Sequence, residues 1–126
     1  MKELRKYYRI KGTPEEIYAA LVNPFAISLW TGAKAEMSEE PGSGFSLFDG
    51  DIEGINMAFE KDSKIVQEWF FGDQPEKSIV SITLRPERYF THIELHHTNI
   101  PEEAYEDMVQ GWDNYYFGGL KDFFEK

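Results

Sequence analysis

The apolar positions of this chain change their period twice, and the expected elements follow from those changes. Between Leu4 and Ile10 apolar residues are interleaved with basic ones up to Gly12, which predicts a first strand. Thr13-Pro14-Glu15-Glu16 then reads as a helix start: Thr13 caps, Pro14 takes the first helical position, and Glu16 closes a capping box. Ile17, Tyr18 and Leu21 give that short helix one buried stripe. Asn23-Pro24 ends it and caps a second, in which Phe25, Ile27, Leu29 and Trp30 are apolar and Thr31-Gly32 closes.

From Ala33 the period becomes two. Ala35 and Met37 predict a short strand before the Glu39-Glu40-Pro41-Gly42 turn, and Gly44 to Phe48 a further one. Gly50-Asp51 is a hairpin signal leading into Ile52 to Glu60, where Ile55, Met57 and Phe59 alternate with Asn56, Ala58 and Glu60. After the Lys61-Asp62-Ser63 turn, Lys64 to Phe71 is a nearly continuous apolar strand containing Trp69. Gly72 to Glu76 reads as loop. In Ile79 to Arg85, Val80, Ile82 and Leu84 oppose Ser81, Thr83 and Arg85; in Tyr89 to Thr98, Thr91, Ile93, Leu95 and His97 share one face. Phe90, His92, Glu94, His96 and Thr98 share the other.

The last stretch, Pro101 to Lys126, returns to ~100° per residue. Tyr105, Met108, Val109, Trp112, Tyr116, Gly119, Leu120 and Phe123 form one face; Asp107, Gln110, Asn114, Lys121 and Glu125 form the other. Pro101, Glu102 and Glu103 suit the positive end of its dipole. A helix this one-sided needs a broad apolar surface. The expected fold is therefore α+β with a helix-grip architecture: a curved antiparallel sheet of about six to seven strands wraps the long C-terminal helix, and two short helices close one end. Residues 1–126 are read as one domain.

Composition narrows the function. A net charge of −10 argues against nucleic acid and anionic membrane surfaces as partners. The absence of Cys excludes disulfides, thiolate metal sites and a cysteine nucleophile. No apolar run approaches a membrane span, and the charged N-terminus lacks the apolar core of a signal peptide, so the cytoplasm is expected. The aromatic share of 16% is large enough to fill a core.

Two segments resemble a known family. Ile65-Val66-Gln67-Glu68-Trp69-Phe70-Phe71, then Pro75 and Ser81-Ile82-Thr83-Leu84, resemble the middle signature of homologues of the activator of heat-shock-protein-90 ATPase. Asn99-Ile100-Pro101-Glu102-Glu103, Gly111-Trp112-Asp113-Asn114-Tyr115-Tyr116-Phe117 and Leu120-Lys121-Asp122-Phe123-Phe124 are similar to the ending of the eukaryotic activator's C-terminal domain. The resemblance implies membership of the wider START/Bet v 1-like superfamily, whose members commonly hold apolar ligands between sheet and helix. The eukaryotic activator also carries a separate N-terminal domain for which 126 residues leave no room. The family thus transfers more directly than the co-chaperone role does.

The leading functional expectation is non-enzymatic binding of a small apolar ligand between sheet and C-terminal helix. Its expected walls are Met57, Phe59, Trp69, Ile82, Ile93, Leu95, Met108, Trp112 and Tyr116, with Gln67, His97 and Tyr116 as orienting polar groups. A filled core is the competing reading. Gly111, Gly118 and Gly119 are poor helix formers that point to a bend or a close approach. The second expectation is association with a heat-shock-protein-90 homologue through the acidic surface and the helix edge, where Phe117 and Phe124 either face a partner or pack on Ile17, Leu21 or Leu29. The third is a cavity enzyme of cyclase or hydratase type, for which no catalytic residues stand out. His92, Glu94 and His96 are zinc-ligating types at i, i+2 and i+4, but a solvated outer strand face accounts for them without a metal. No cofactor is expected, and a monomer is.

Overall fold

The computed structural model describes residues 1–125. β1 (Lys2–Lys11) leads into α1 (Pro14–Val22) and α2 (Pro24–Thr31). β2 (Gly44–Leu47), β3 (Ile52–Glu60), β4 (Lys64–Trp69), β5 (Ser78–Glu87) and β6 (Phe90–Ile100) follow as a meander. The strands form one six-stranded sheet in the order β1-β6-β5-β4-β3-β2, every pairing antiparallel. The chain then turns through a short 3-10 segment (Glu102–Ala104) into a helix of three parts: α3 (Tyr105–Gln110), a π-helical turn (Gly111–Tyr116) and α4 (Phe117–Phe124). This is the helix-grip arrangement.

The local signals act as their chemistry requires. Thr13 accepts a hydrogen bond from the Glu16 backbone N–H while the Glu16 carboxylate accepts from the Thr13 N–H, so two orphan donors at the start of α1 are satisfied. Asn23 caps α2 in the same way through Ala26 N–H. Ile17, Tyr18 and Leu21 are buried against the sheet end. On α2 only Ile27 and Trp30 turn inward, and Trp30 Nε1–H donates to Ala20 O at 2.8 Å, tying the two helices together. Phe25 and Leu29 face solvent. Val80, Ile82 and Leu84 on β5, and Thr91, Ile93, Leu95 and His97 on β6, are buried on the inner face as the alternation requires.

Three expectations fail locally. Ala35 and Met37 form no strand; the segment makes one isolated bridge, Glu36 to Ser46. On β3 the inward residues are Gly54 and Asn56, and Met57 is 42% exposed. With Gly54 and Asn56 inward, plain alternation already turns Met57 outward, out of step with the expected parity. The bulge between Asn56 and Ala58 then adds one residue, leaves Ala58 exposed as well and returns Phe59, opposite Ile65, to half-burial. Finally, the C-terminal helix is not uniformly α. The Phe117 N–H bonds to Trp112 O, five residues back, and this wide turn brings Phe117 to the inner face. Its ring stacks on Trp112 at 5.6 Å and on Tyr8 at 4.4 Å.

Gly118 makes that turn feasible. A Cβ there would lie 2.6 Å from the Asp113 carbonyl oxygen. Asp113, on the turn itself, accepts from Lys6 Nζ at 2.5 Å and from Tyr8 OH at 2.8 Å, which ties the helix to β1. Burial pushes the Asp113 carboxyl up, but those two donors outweigh it and hold it below the ordinary carboxylate range.

Candidate functional site

Behind the π turn lies a sealed interior. Trp69 of β4 and Trp112 stack face to face at 4.6 Å and 25°. Each indole N–H has a dedicated acceptor, as a buried donor needs. Trp112 Nε1–H donates to His97 Nδ1 at 3.1 Å, which leaves the proton of the neutral imidazole on Nε2, facing Ser78 Oγ at 2.8 Å. Ser78 in turn donates to Thr98 O. Burial, with a smaller contribution from nearby His96, pushes the His97 pKa down to about 3, so the ring is neutral. Trp69 Nε1–H donates to Gln67 Oε1 at 3.0 Å, Gln67 Nε2 donates to Asn56 Oδ1 at 2.9 Å, and Asn56 Nδ2 donates to Ser38 O and Ser43 Oγ. These polar groups bond one another and are turned away from solvent. They stiffen the aromatic layer.

Beside this interior is an open pocket of about 310 Å³. Its floor is Trp69 and Trp112. One wall is the β2–β3 turn, with Phe48, Asp51 and Ile52; the other is the helix, with Met108, Gly111, Tyr115 and Tyr116. Phe48 and Asp49 adopt positive φ in that turn, which tips Phe48 toward the helix, where Trp30 meets both Phe48 and Tyr116 edge-on. Asp51 is the one charged side chain in the lining, and Tyr115 stands exposed at the rim. Burial alone raises the pKa of the Tyr116 hydroxyl and keeps it neutral. A mostly apolar lining with one charge on its edge has the composition that ligand and partner sites share.

The model of the family described as Activator of Hsp90 ATPase homolog 1-like protein matches residues 11–125. The chain belongs to that family. It is 30% identical over 114 residues to human "Activator of 90 kDa heat shock protein ATPase homolog 1", covering 89% of this chain and 34% of the relative. A Dictyostelium discoideum activator homologue is also 30% identical, over 88% of this chain and 30% of its own length. The chain therefore spans about a third of the curated relatives it matches. Among solved structures, an Hsp90 activator from Plasmodium falciparum superposes with a TM-score of 0.88 at 24% identity, covering 98% of this chain and 96% of that one. The solution structure of the Aha1 dimer from Colwellia psychrerythraea gives 0.82 at 21% identity, with 99% and 97% covered. These two likenesses concern the fold.

In this member of the activator-homologue family the expected pocket residues separate into groups. Trp69, Met108, Trp112 and Tyr116 line the pocket together. Gln67 and His97 are buried, but they hold the two indoles and do not face the opening. Ile82, Ile93 and Leu95 are fully buried in the packed inner face of the sheet, and Phe59 sits half-buried at the far end of β3 opposite Ile65. Met57 follows the inward Asn56, so it faces outward and is no wall residue. Phe117 is buried, which removes it from any partner surface; Phe124 is half-buried, with its ring near Gly12. His92, Glu94 and His96 face outward and pair separately: His92 with Glu87, Glu94 with Arg5 and Arg85, His96 with Glu3. Among the described residues no helix is long and apolar enough to cross a membrane.

Sequence reasoning missed Phe48, Asp51, Ile52 and Tyr115. Gly111 carried a usable signal, being a glycine in mid-helix. Phe48 carried a weaker one, a large aromatic directly before the Asp49-Gly50-Asp51 turn.

Proposed function

We propose that this chain is a chaperone-associated protein that binds a heat-shock-protein-90-class ATPase and raises its turnover, with residues 1–126 acting as one domain. The observation that carries the reading is the family match across residues 11–125, with relatives named as activators of that ATPase. The site is consistent with it: it offers an apolar surface with one charged group and no nucleophile–base pair, so the work is done by binding. The test is the ATPase rate of the chaperone with increasing amounts of this protein. A saturable rise is expected. An unchanged rate, together with no heat of binding in calorimetry with a non-hydrolysable ATP analogue present, would sink the reading.

A second reading is carriage of a small apolar molecule, favoured by one observation: the pocket of about 310 Å³ floored by Trp69 and Trp112 is at the small end of ligand-sized sites. Native mass spectrometry of gently purified protein tests it. Extra mass that disappears on denaturation supports carriage, and a bare-chain mass with no quenching of indole fluorescence by added apolar dye opposes it.

A further inference from the structure

We propose that the open pocket is a docking site for a basic segment of a partner protein that inserts one apolar side chain between Phe48 and Trp112. This rests on the chaperone reading only for the partner's identity; the docking chemistry stands on the pocket itself.

Three observations carry it. The first is Gly111. It lies in ordinary helical conformation, where glycine is about 1 kcal/mol worse than alanine, and a Cβ there would meet nothing within 4 Å. Gly118 is needed because the Asp113 carbonyl crowds it; packing makes no such demand at Gly111. What Gly111 does is leave the pocket wall open. The second is the pair of aromatic residues at the mouth, Phe48 and the exposed Tyr115, the kind of side chain that anchors protein interfaces.

The third is charge. Residues 48–53, around the β2–β3 turn that supplies one wall, hold the carboxylates Asp49, Asp51 and Glu53 and no Lys or Arg. Residues 102–116, which supply the other, hold Glu102, Glu103, Glu106 and Asp107 and again no cation, while Asp113 is turned to Lys6 on β1. Asp51 lines the pocket, and Asp107 lies one helical turn before Gly111 on the same side. Neither is in an ion pair among the described residues. The cations gather elsewhere: five of the thirteen Lys and Arg are on β1, at the opposite edge of the sheet. An apolar cleft between two acidic walls selects an apolar anchor with Lys or Arg on either side, and it repels acidic segments.

The probe is a fluorescently labelled peptide, Lys-Lys-Leu-Trp-Leu-Lys-Lys, with its Glu-for-Lys counterpart as control, titrated by anisotropy. Binding of the basic peptide only, weakening with added salt, is expected. Gly111→Leu, whose Cβ meets nothing within 4 Å and whose side chain extends into the opening, should lower affinity on the order of tenfold or more. Asp51→Lys should lower it several-fold, and Gly111→Ala much less. The chaperone should compete with the peptide. Equal affinity for the wild type and both Gly111→Leu and Asp51→Lys would overturn the site, as would no binding of the basic peptide. A neutral apolar dye that binds where the peptide does not would assign the pocket to a small molecule. Peptide binding lost in both variants but untouched by the chaperone would keep the docking site and remove the chaperone as its partner.

Discussion

Trp112 and Tyr115 stand on the same helical turn, three residues apart, yet Trp112 is 2% exposed and Tyr115 68%. The side of the turn that carries Trp112 meets β4 and β6, and every polar atom in that contact has a partner: indole to His97, His97 to Ser78, Ser78 to a main-chain carbonyl. The side that carries Tyr115 meets only the β2–β3 turn, across a gap. Both sides are aromatic. What separates a core from a binding surface here is whether something covers the rings and satisfies their polar edges. The two glycines show the same division, with Gly118 under a carbonyl and Gly111 over open space.

The strongest way to break the comparison is to truncate each aromatic. Trp112→Ala removes a stacked, hydrogen-bonded indole and leaves His97 Nδ1 unpaired, so a loss of about 3–5 kcal/mol is expected in urea unfolding. Tyr115→Ala removes a rim side chain and should stay within about 0.5 kcal/mol. Similar losses for both would mean that the interior is less tightly packed than its contacts indicate.

Next in size is acid sensitivity, which belongs to the interior alone. The folded chain holds His97 at a pKa of about 3 against an ordinary 6.5. Below pH 6.5 the unfolded chain takes up a proton that the folded chain refuses. Stability from this group is therefore complete above pH 6.5 and drains away as pH falls toward 3, by at most about 1.4 kcal/mol per pH unit. His97→Gln should be less stable at pH 7 but flatter than the wild type between pH 6.5 and 4. Subtracting the two curves removes the carboxylates, which titrate in both proteins. Parallel curves would show that His97 does not titrate across that window.

How legible this division was in the sequence depends on single-residue insertions. β5 and β6 were readable because one face is buried without interruption from Ser78 to Leu84 and from Thr91 to His97, so Val80, Ile82 and Leu84, and Ile93, Leu95 and His97, announced themselves by parity. β3 alternates with the parity opposite to the expected one, Gly54 and Asn56 inward and Met57 outward, because its inner positions are a glycine and a hydrogen-bonded amide that an apolar pattern does not mark. The bulge then adds one residue and returns Phe59 to half-burial. The helix follows a 3.6-residue period up to Gln110, where the π turn adds its own and turns Phe117 inward. No periodic pattern contains such insertions, since they come from close approaches that only the folded chain has. The pocket was half legible for a related reason. Its floor and helix side sit on regular elements, whereas Phe48 and Asp51 reach it through a turn whose positive φ angles direct them.

The smallest expected effect separates the glycines most sharply. Gly118→Ala places a methyl 2.6 Å from the Asp113 carbonyl, so either the π turn rewinds or the helix shifts, and either response should cost about 1–3 kcal/mol. A rewound turn would also swing Phe117 off Tyr8, a change that near-ultraviolet dichroism reports. Gly111→Ala carries no such penalty. Its methyl enters open space, its backbone is already helical, and alanine loses less conformational freedom on folding than glycine does, so the variant should gain up to about 1 kcal/mol. A variant that is more stable and binds nearly as well would show that only larger side chains at this position close the pocket. A variant that is less stable would mean that the glycine at 111 serves the π turn, and the case for an opening kept clear would lose its first support.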